Sequence, residues 1–330
     1  TGFELSQTSF TSSGLVNSDS ISTVTIKYNG SSTILSTLSA NTYNLNVSNA
    51  TGSGLSNYTI TYTAGTLTVN AVGLAITGIT ANNKTYDGTT AATLSGTAAY
   101  SGLVNGESFA VSGTPTASFA TAAVGTGKTV SVTGYTTPSS NYTLTQPSLT
   151  ANITSATLTV TASSQSKTYG STAPTSGTLN TNFTVTGLVG SDAASGVTLA
   201  YSGSPSGNLA TGTVGTYTIT PSALTLSSGS TGNYSITYTT GTLTVNAASL
   251  TVTASAQSKT YGTTSPTSGT LNTNYTLTGL QNSDAASGIT LGYSGSPAGN
   301  LATASVGTYT ITPSALTLST GSTSNYSVTY

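Results

Sequence analysis

Along residues 233–246, NYSITYTTGTLTVN, apolar and polar side chains alternate. Tyr234, Ile236 and Tyr238 share one face, and Ser235 and Thr237 the other. After a turn around Thr240 and Gly241, Leu243 and Val245 return to the first face. Period two of this kind predicts a half-buried antiparallel hairpin. The same alternation marks Leu250, Val252 and Ala254, then Val197, Leu199 and Tyr201, then Tyr217 and Ile219. Gly, Pro, Asn and Ser fill the gaps, and SGSPSGN at 202–208 reads as a turn or loop. No segment sustains a helical period.

The pattern repeats. Tyr169 and Tyr261, Tyr201 and Tyr293, and Tyr234 and Tyr326 are each 92 residues apart, and 156–238 differs from 248–330 at 16 of 83 positions. Most changes are mild, and apolar stays apolar at Phe183 against Tyr275, Val185 against Leu277, Val197 against Ile289 and Ile236 against Val328. Val189 and Gly190 against Gln281 and Asn282 is the exception and reads as an exposed turn. The match of 57–70 to 233–246 makes 1–71 a partial repeat lacking its first strands. Residues 72–155 form a shorter variant, 156–247 a full repeat, and 248–330 a repeat lacking its last strand. The chain thus reads as a window of a longer polypeptide. Six or seven short strands in about 90 residues predict tandem immunoglobulin-like β-sandwiches in an elongated rod. A parallel β-helix is the runner-up, but its shorter coil period of roughly 20–30 residues is not found.

Composition narrows the chemistry. Charged residues make up 3% of the chain, with five Lys, six acids and no His, Cys, Met or Trp. The usual general base, nucleophile pairs and most zinc ligands are missing. An enzyme is therefore the least expected class, with no catalytic residue, cofactor or metal. Clustered basic residues for phosphate are absent too, which argues against nucleic acid. Carboxylates are single and far apart, unlike a calcium site. No run of 18 apolar residues argues for a membrane span, and no signal-peptide pattern stands at Thr1.

Charge instead recurs once per repeat. SQSKTYG at 164–170, AQSKTYG at 256–262 and NNKTYDG at 82–88 carry Lys167, Lys259 and Lys84. An acid recurs in GLVNSDS, GLVNGES, GLVGSDA and GLQNSDA as Asp19, Glu107, Asp192 and Asp284. The expectation is that Lys84 meets Glu107, Lys167 meets Asp192 and Lys259 meets Asp284. A solvated ion pair is the favoured form, a buried pair or an isopeptide cross-link the sharper alternatives. In the same motif Tyr86, Tyr169 and Tyr261 are expected to cap a sandwich end. Gly88, Gly170 and Gly262 are expected to turn the chain at positive φ. Sugar stacking is the alternative for these Tyr residues. The repeated NYT and NYS fit an Asn-glycosylation pattern but read better as a turn Asn before an inward Tyr.

KTYG with TGLVGSD, VGTYTITP, NYSITY and GTLTVN resembles the MBG repeat, and KTYDGTT with NYTLTQPSLTANIT resembles the related YDG repeat. Both occur in tandem in large bacterial surface proteins similar to filamentous haemagglutinin. The resemblance implies an extracellular or cell-surface location and a stalk or spacer role in an adhesin or fibre. It transfers no catalytic residue. The expected partners are neighbouring repeats or copies of the chain itself, with a glycan or a host or abiotic surface reached by other segments. Nucleic acid and membrane insertion are not expected. A self-assembling filament, sheath or biofilm-matrix protein, joined through strand edges or Thr/Ser faces, is the second reading. Low charge favours it, because little repulsion opposes contact. A carbohydrate-binding module is third, since no Trp platform exists.

Overall fold

The computed structural model describes residues 3–330, Phe3 by its backbone alone. Thr1 and Gly2, where the first repeat and the missing signal pattern are read, lie outside the described residues. The chain is all-β, and no α-helix occurs among the described residues. It divides into two units, one of residues 1–85 and 89–154, the other of 86–88 and 155–330.

In the second unit, residues 156–247 show why the sequence folds as it does. A three-stranded sheet runs Phe183–Thr186, Ala156–Ala162, Tyr234–Thr239. A five-stranded sheet runs Gln165–Thr168, Gly241–Asn246, Gly215–Ser228, Ala193–Tyr201, Ser176–Gly177. Every second residue of Ala156–Ala162 is buried, as period two requires. Leu158, Val160, Phe183, Ile219 and Leu243 are fully excluded from solvent, so both sheets share one core.

The predicted hairpin is not formed. Tyr234–Thr239 pairs in parallel with Ala156–Ala162, Ile236 opposite Leu158. Gly241–Asn246 pairs antiparallel with Gly215–Ser228 and parallel with Gln165–Thr168 in the other sheet. Only Thr240 separates the two strands, and a hairpin turn needs at least about two loop residues. The chain therefore steps between sheets, and both strands still present their apolar face to the core. That is why alternation alone predicted the wrong partner. At the step a Cβ on Gly241 would lie 2.6 Å from the Ala162 carbonyl oxygen. Only glycine admits that approach.

Residues 248–330 repeat the three-stranded sheet, as Tyr275–Thr278, Ala248–Ala254, Tyr326–Thr329. Their second sheet keeps three strands: Ser268–Gly269, Ala285–Tyr293 and Ile311–Thr320.

In the first unit, residues 72–154 repeat both sheets. One holds Tyr142–Thr145, Val72–Ala81 and Leu94–Ser101, the other Lys84–Thr85, Ser148–Thr154, Gly125–Thr136, Ser112–Phe119 and Ala91–Ala92. The preceding residues form Ser20–Lys27, Asn41–Ser53 and Gly65–Val69 over a small core of Leu5, Val24, Ile26 and Ile34. Here Tyr58–Ala64, whose sequence nearly matches 234–240, is not a strand.

Candidate functional site: the repeat junction

The expected Lys–acid pairs do not form between Lys167 and Asp192 or between Lys259 and Asp284. Lys167 Nζ donates to the carbonyls of Ser171 (3.0 Å) and Leu209 (2.7 Å). Lys259 does the same to Thr263 (3.1 Å) and Leu301 (2.7 Å). Lys84 donates to Thr89 O at 2.7 Å and Oγ1 at 3.1 Å, while Glu107 accepts from the Tyr142 hydroxyl. The Lys thus staples its own turn, and no isopeptide geometry exists at Lys167 or Lys259. Burial lowers the Lys167 pKa from its ordinary value. Two carbonyls and an ammonium satisfy each other locally at Lys167 and at Lys259, so the acid is left for another donor.

That donor is tyrosine. Tyr169 reaches from one repeat into the next, and its hydroxyl donates to Asp284 Oδ2 at 3.0 Å. Tyr326 donates to the same oxygen at 2.6 Å, and the Tyr326 hydroxyl accepts from the Gln281 amide at 3.0 Å. The two rings meet edge to face, centroids 5.5 Å apart. Within the same unit Tyr86 and Tyr234 hold Asp192 at 3.0 and 2.6 Å, with the Val189 amide on Tyr234 at 3.0 Å and rings again 5.5 Å apart. All four Tyr are buried. One carboxylate oxygen, two phenols and an edge-to-face ring pair make a clasp. Hydrogen bonds to a charged acceptor contribute about 1.5–3 kcal/mol each where screened from water, and the ring pair about 0.5–1.5 kcal/mol.

Local sequence builds each part. The acid ends a turn in which its own amide bonds back three residues, Asp192 N to Val189 O and Asp284 N to Gln281 O. It lies against a glycine: a Cβ on Gly229 or Gly321 would meet the carboxylate at 2.2 Å. Gly88, Gly170 and Gly262 have φ of 77°, 90° and 90°. A Cβ on Gly170 would strike the Gln281 side chain at 2.3 Å, so glycine also lets the next repeat approach.

Burial raises the pKa of Tyr234 first, and its bond to Asp192 second, to about 12. Tyr326 is raised for the same reasons with Asp284, and Tyr86 and Tyr169 are raised mainly by burial. These phenols hold their protons and act as donors. The arrangement positions; it offers no nucleophile or open metal site. No group of three metal-ligating side chains occurs among the described residues.

Three further contacts were missed in the sequence. Asn325, 3% exposed, accepts the Val214 amide of the preceding repeat at 3.1 Å. Asn141 likewise accepts the Ala40 amide at 2.8 Å. The Asn of NYS therefore serves the junction. Residues 281–284 form the expected turn with Asn282 exposed, and Asn282 in addition donates to the Ala210 carbonyl of the preceding repeat at 3.2 Å. One signal was available for the acid: Asp19 is present in a stretch that carries no motif Lys.

In the first unit the clasp is half made. Tyr58 donates to Asp19 Oδ2 at 2.8 Å, and the Val16 amide donates to Tyr58 at 2.9 Å. Tyr142 holds Glu107, and Phe109 from the same repeat takes the edge-to-face position at 6.4 Å. Tyr261 is 67% exposed, and its hydroxyl has no hydrogen bond among the described residues.

A family model described as MBG domain (YGX type) matches residues 1–68, 158–244 and 250–330. One described as YDG domain matches residues 70–151. No curated protein and no solved structure matches the chain.

Proposed function

Since the chain belongs to the MBG domain (YGX type) family, with a YDG domain among its repeats, we propose that it is a non-catalytic spacer segment of an extracellular bacterial surface adhesin or fibre. The observation that carries this reading is the clasp occurring twice with the same distances, at Asp192 and at Asp284. Within the second unit Asp284, with Tyr169 and Tyr326, fixes 156–247 against 248–330, while Lys167 and Lys259 hold their own turns. That is the economy of a module whose task is to hold distance and direction. Of the motif tyrosines that a sugar platform would need, Tyr86 and Tyr169 are buried against Asp192 and Asp284. The outward Thr/Ser faces stay wettable with almost no charge, suited to variable salt outside the cell.

Spin labels at Thr198→Cys and Thr290→Cys, both exposed strand positions in a chain without other Cys, test the spacer role. A single narrow distance distribution is expected. A broad one would mean freely swivelling repeats and would overturn it. Antibody labelling of intact producing cells tests the location, and labelling only after permeabilisation would exclude it.

A further inference from the structure

We propose that the clasp is a site of oxidative tyrosine cross-linking, at which Tyr169 and Tyr326 join covalently at ring carbons next to their hydroxyls. This goes beyond the spacer reading, which the non-covalent contact already serves.

Three features of the contact favour that bond. The rings already touch, with centroids 5.5 Å apart and planes at 80°. A bond between two aryl rings tolerates a large twist, so only a short approach is needed. Both hydroxyls converge on one atom, Asp284 Oδ2, at 3.0 and 2.6 Å. The ring edges beside the hydroxyls are thereby drawn together, and those ortho carbons carry the spin of a phenoxyl radical. The shared acceptor is also a base. A phenol that loses an electron becomes a strong acid, and a carboxylate already hydrogen-bonded to it takes the proton with no rearrangement. Asp284 is half-buried rather than sealed, so it can hand that proton on to water.

The arrangement stands a second time within the unit. Tyr86 and Tyr234 donate to Asp192 Oδ2 at 3.0 and 2.6 Å, with rings 5.5 Å apart at 80°. The chain also holds a contrasting pair. Tyr28 and Tyr43 are closer, 5.0 Å at 72°, but the Tyr43 hydroxyl donates to the Ser39 carbonyl, a far weaker base than a carboxylate. A chain without Cys cannot tie its repeats by a disulfide. A link from Tyr169 to Tyr326 would restrict the unfolded chain in the way a long-loop disulfide does.

The step needs a one-electron oxidant, hydrogen peroxide activated at a haem. It removes one electron from each phenol, and each phenolic proton leaves through the carboxylate. The two radicals pair in one new C–C bond. Hydrogen at the bonded carbons then moves to the oxygens, which restores both phenols. Each link gives up two electrons and two protons, and these reduce one peroxide to two waters.

The test treats the full chain with hydrogen peroxide and haem, dilute enough that chains seldom collide, and maps the products by mass spectrometry. Peptides linking Tyr169 to Tyr326 and Tyr86 to Tyr234 are expected, with dityrosine fluorescence and a chain lighter by two hydrogen atoms per link. Tyr169→Phe keeps the ring and is expected to lose the first link and retain the second. Asp284→Asn keeps the shape and is expected to slow the first link roughly tenfold or more, the effect of removing a positioned base, with the second link unchanged. Links confined to exposed tyrosines such as Tyr62 and Tyr261 would overturn the proposal. So would a Tyr28–Tyr43 link that forms as fast as the clasp links, or an undiminished rate in Asp284→Asn, since either removes the carboxylate from the reaction.

Discussion

Residues 164–170 and 256–262 have nearly the same sequence, yet they stand in different states. In the first, Gln165–Thr168 is a strand, Lys167 is 8% exposed and Tyr169 is 5% exposed. In the second, 255–260 has no strand, Lys259 is half-buried and Tyr261 is 67% exposed. The difference lies in what each stretch touches. Gln165–Thr168 has Gly241–Asn246 as a parallel partner and the next repeat over its Tyr. Residues 257–261 have neither among the described residues; Gln257, Ser258, Lys259 and Tyr261 line a groove of about 660 Å³ with Tyr309 and Ile311. Strand formation here belongs to the pair, in keeping with the context dependence of β propensity. Tyr58–Ala64 makes the same point at the other sheet: it has no strand partner among the described residues and lines a groove of about 800 Å³.

The strongest way to break the comparison is to remove the partner's anchor. Leu243 is fully buried on a strand flanked on both sides, between Gln165–Thr168 and Gly215–Ser228, and faces Gln165 in the ladder. Leu243→Ala is expected to cost about 2–5 kcal/mol. It should also bring 164–170 toward the state of 256–262, seen as lost hydrogen-exchange protection at Gln165–Thr168. Retained protection would mean that the strand is held by something other than its partner.

Next in size is the clasp. Asp284→Ala leaves Tyr169 and Tyr326 without their shared acceptor and is expected to cost about 1.5–3 kcal/mol, the worth of bonds to a charged group. Equilibrium denaturation reads that loss. A spectrophotometric phenol titration should at the same time show Tyr326 titrating at lower pH, because one cause of its raised pKa is gone. An unchanged titration would mean that burial alone holds the proton. Asp192→Ala should act alike on Tyr86 and Tyr234.

High pH tests the same contacts without mutation. Tyr234 is raised to about 12 from an ordinary 10.0, so between these values the folded state binds more protons than the unfolded state. Stability from this phenol is complete below pH 10.0 and is lost as pH rises toward about 12. Lys167 has the opposite sign. Its folded pKa is depressed, so its contribution grows as pH climbs to its ordinary 10.5. Unfolding free energy measured from pH 9 to 12 should fall, and less steeply in Asp192→Ala. A flat profile would contradict the clasp as drawn.

Much of this fold could be read in the sequence, and the reason is physical. Alternation reports which face is buried, so Leu158, Val160, Leu243 and Val245 could be assigned inward from residue type alone. It does not report the partner, so one hairpin was expected where two sheets take one strand each. The site was half legible. Lys167, Tyr169, Asp192 and Asp284 stood out because charge is scarce. Opposite charge suggested pairing inside a repeat, but Lys167 lies within reach of the Ser171 and Leu209 carbonyls. The bond from Tyr169 to Asp284 spans 115 residues, and no local pattern encodes it.

The smallest effect separates the two repeats at a single atom. Phe183 and Tyr275 occupy equivalent positions, and both are fully buried. The Tyr275 hydroxyl has no hydrogen-bond partner among the described residues, and burial alone raises its pKa. A polar group buried without a partner costs about 1–3 kcal/mol, whereas an apolar replacement of the same shape is neutral or stabilising. Tyr275→Phe is therefore expected to stabilise its repeat by up to about 1 kcal/mol, the low end of that range, since removing the oxygen leaves a small void. Phe183→Tyr should cost a comparable amount or more, because it adds an oxygen to a packed core. Thermal melts of the two variants decide the matter. If Tyr275→Phe destabilises, the hydroxyl has a partner, such as a bound water, and the two cores differ in hydration rather than by one unsatisfied atom.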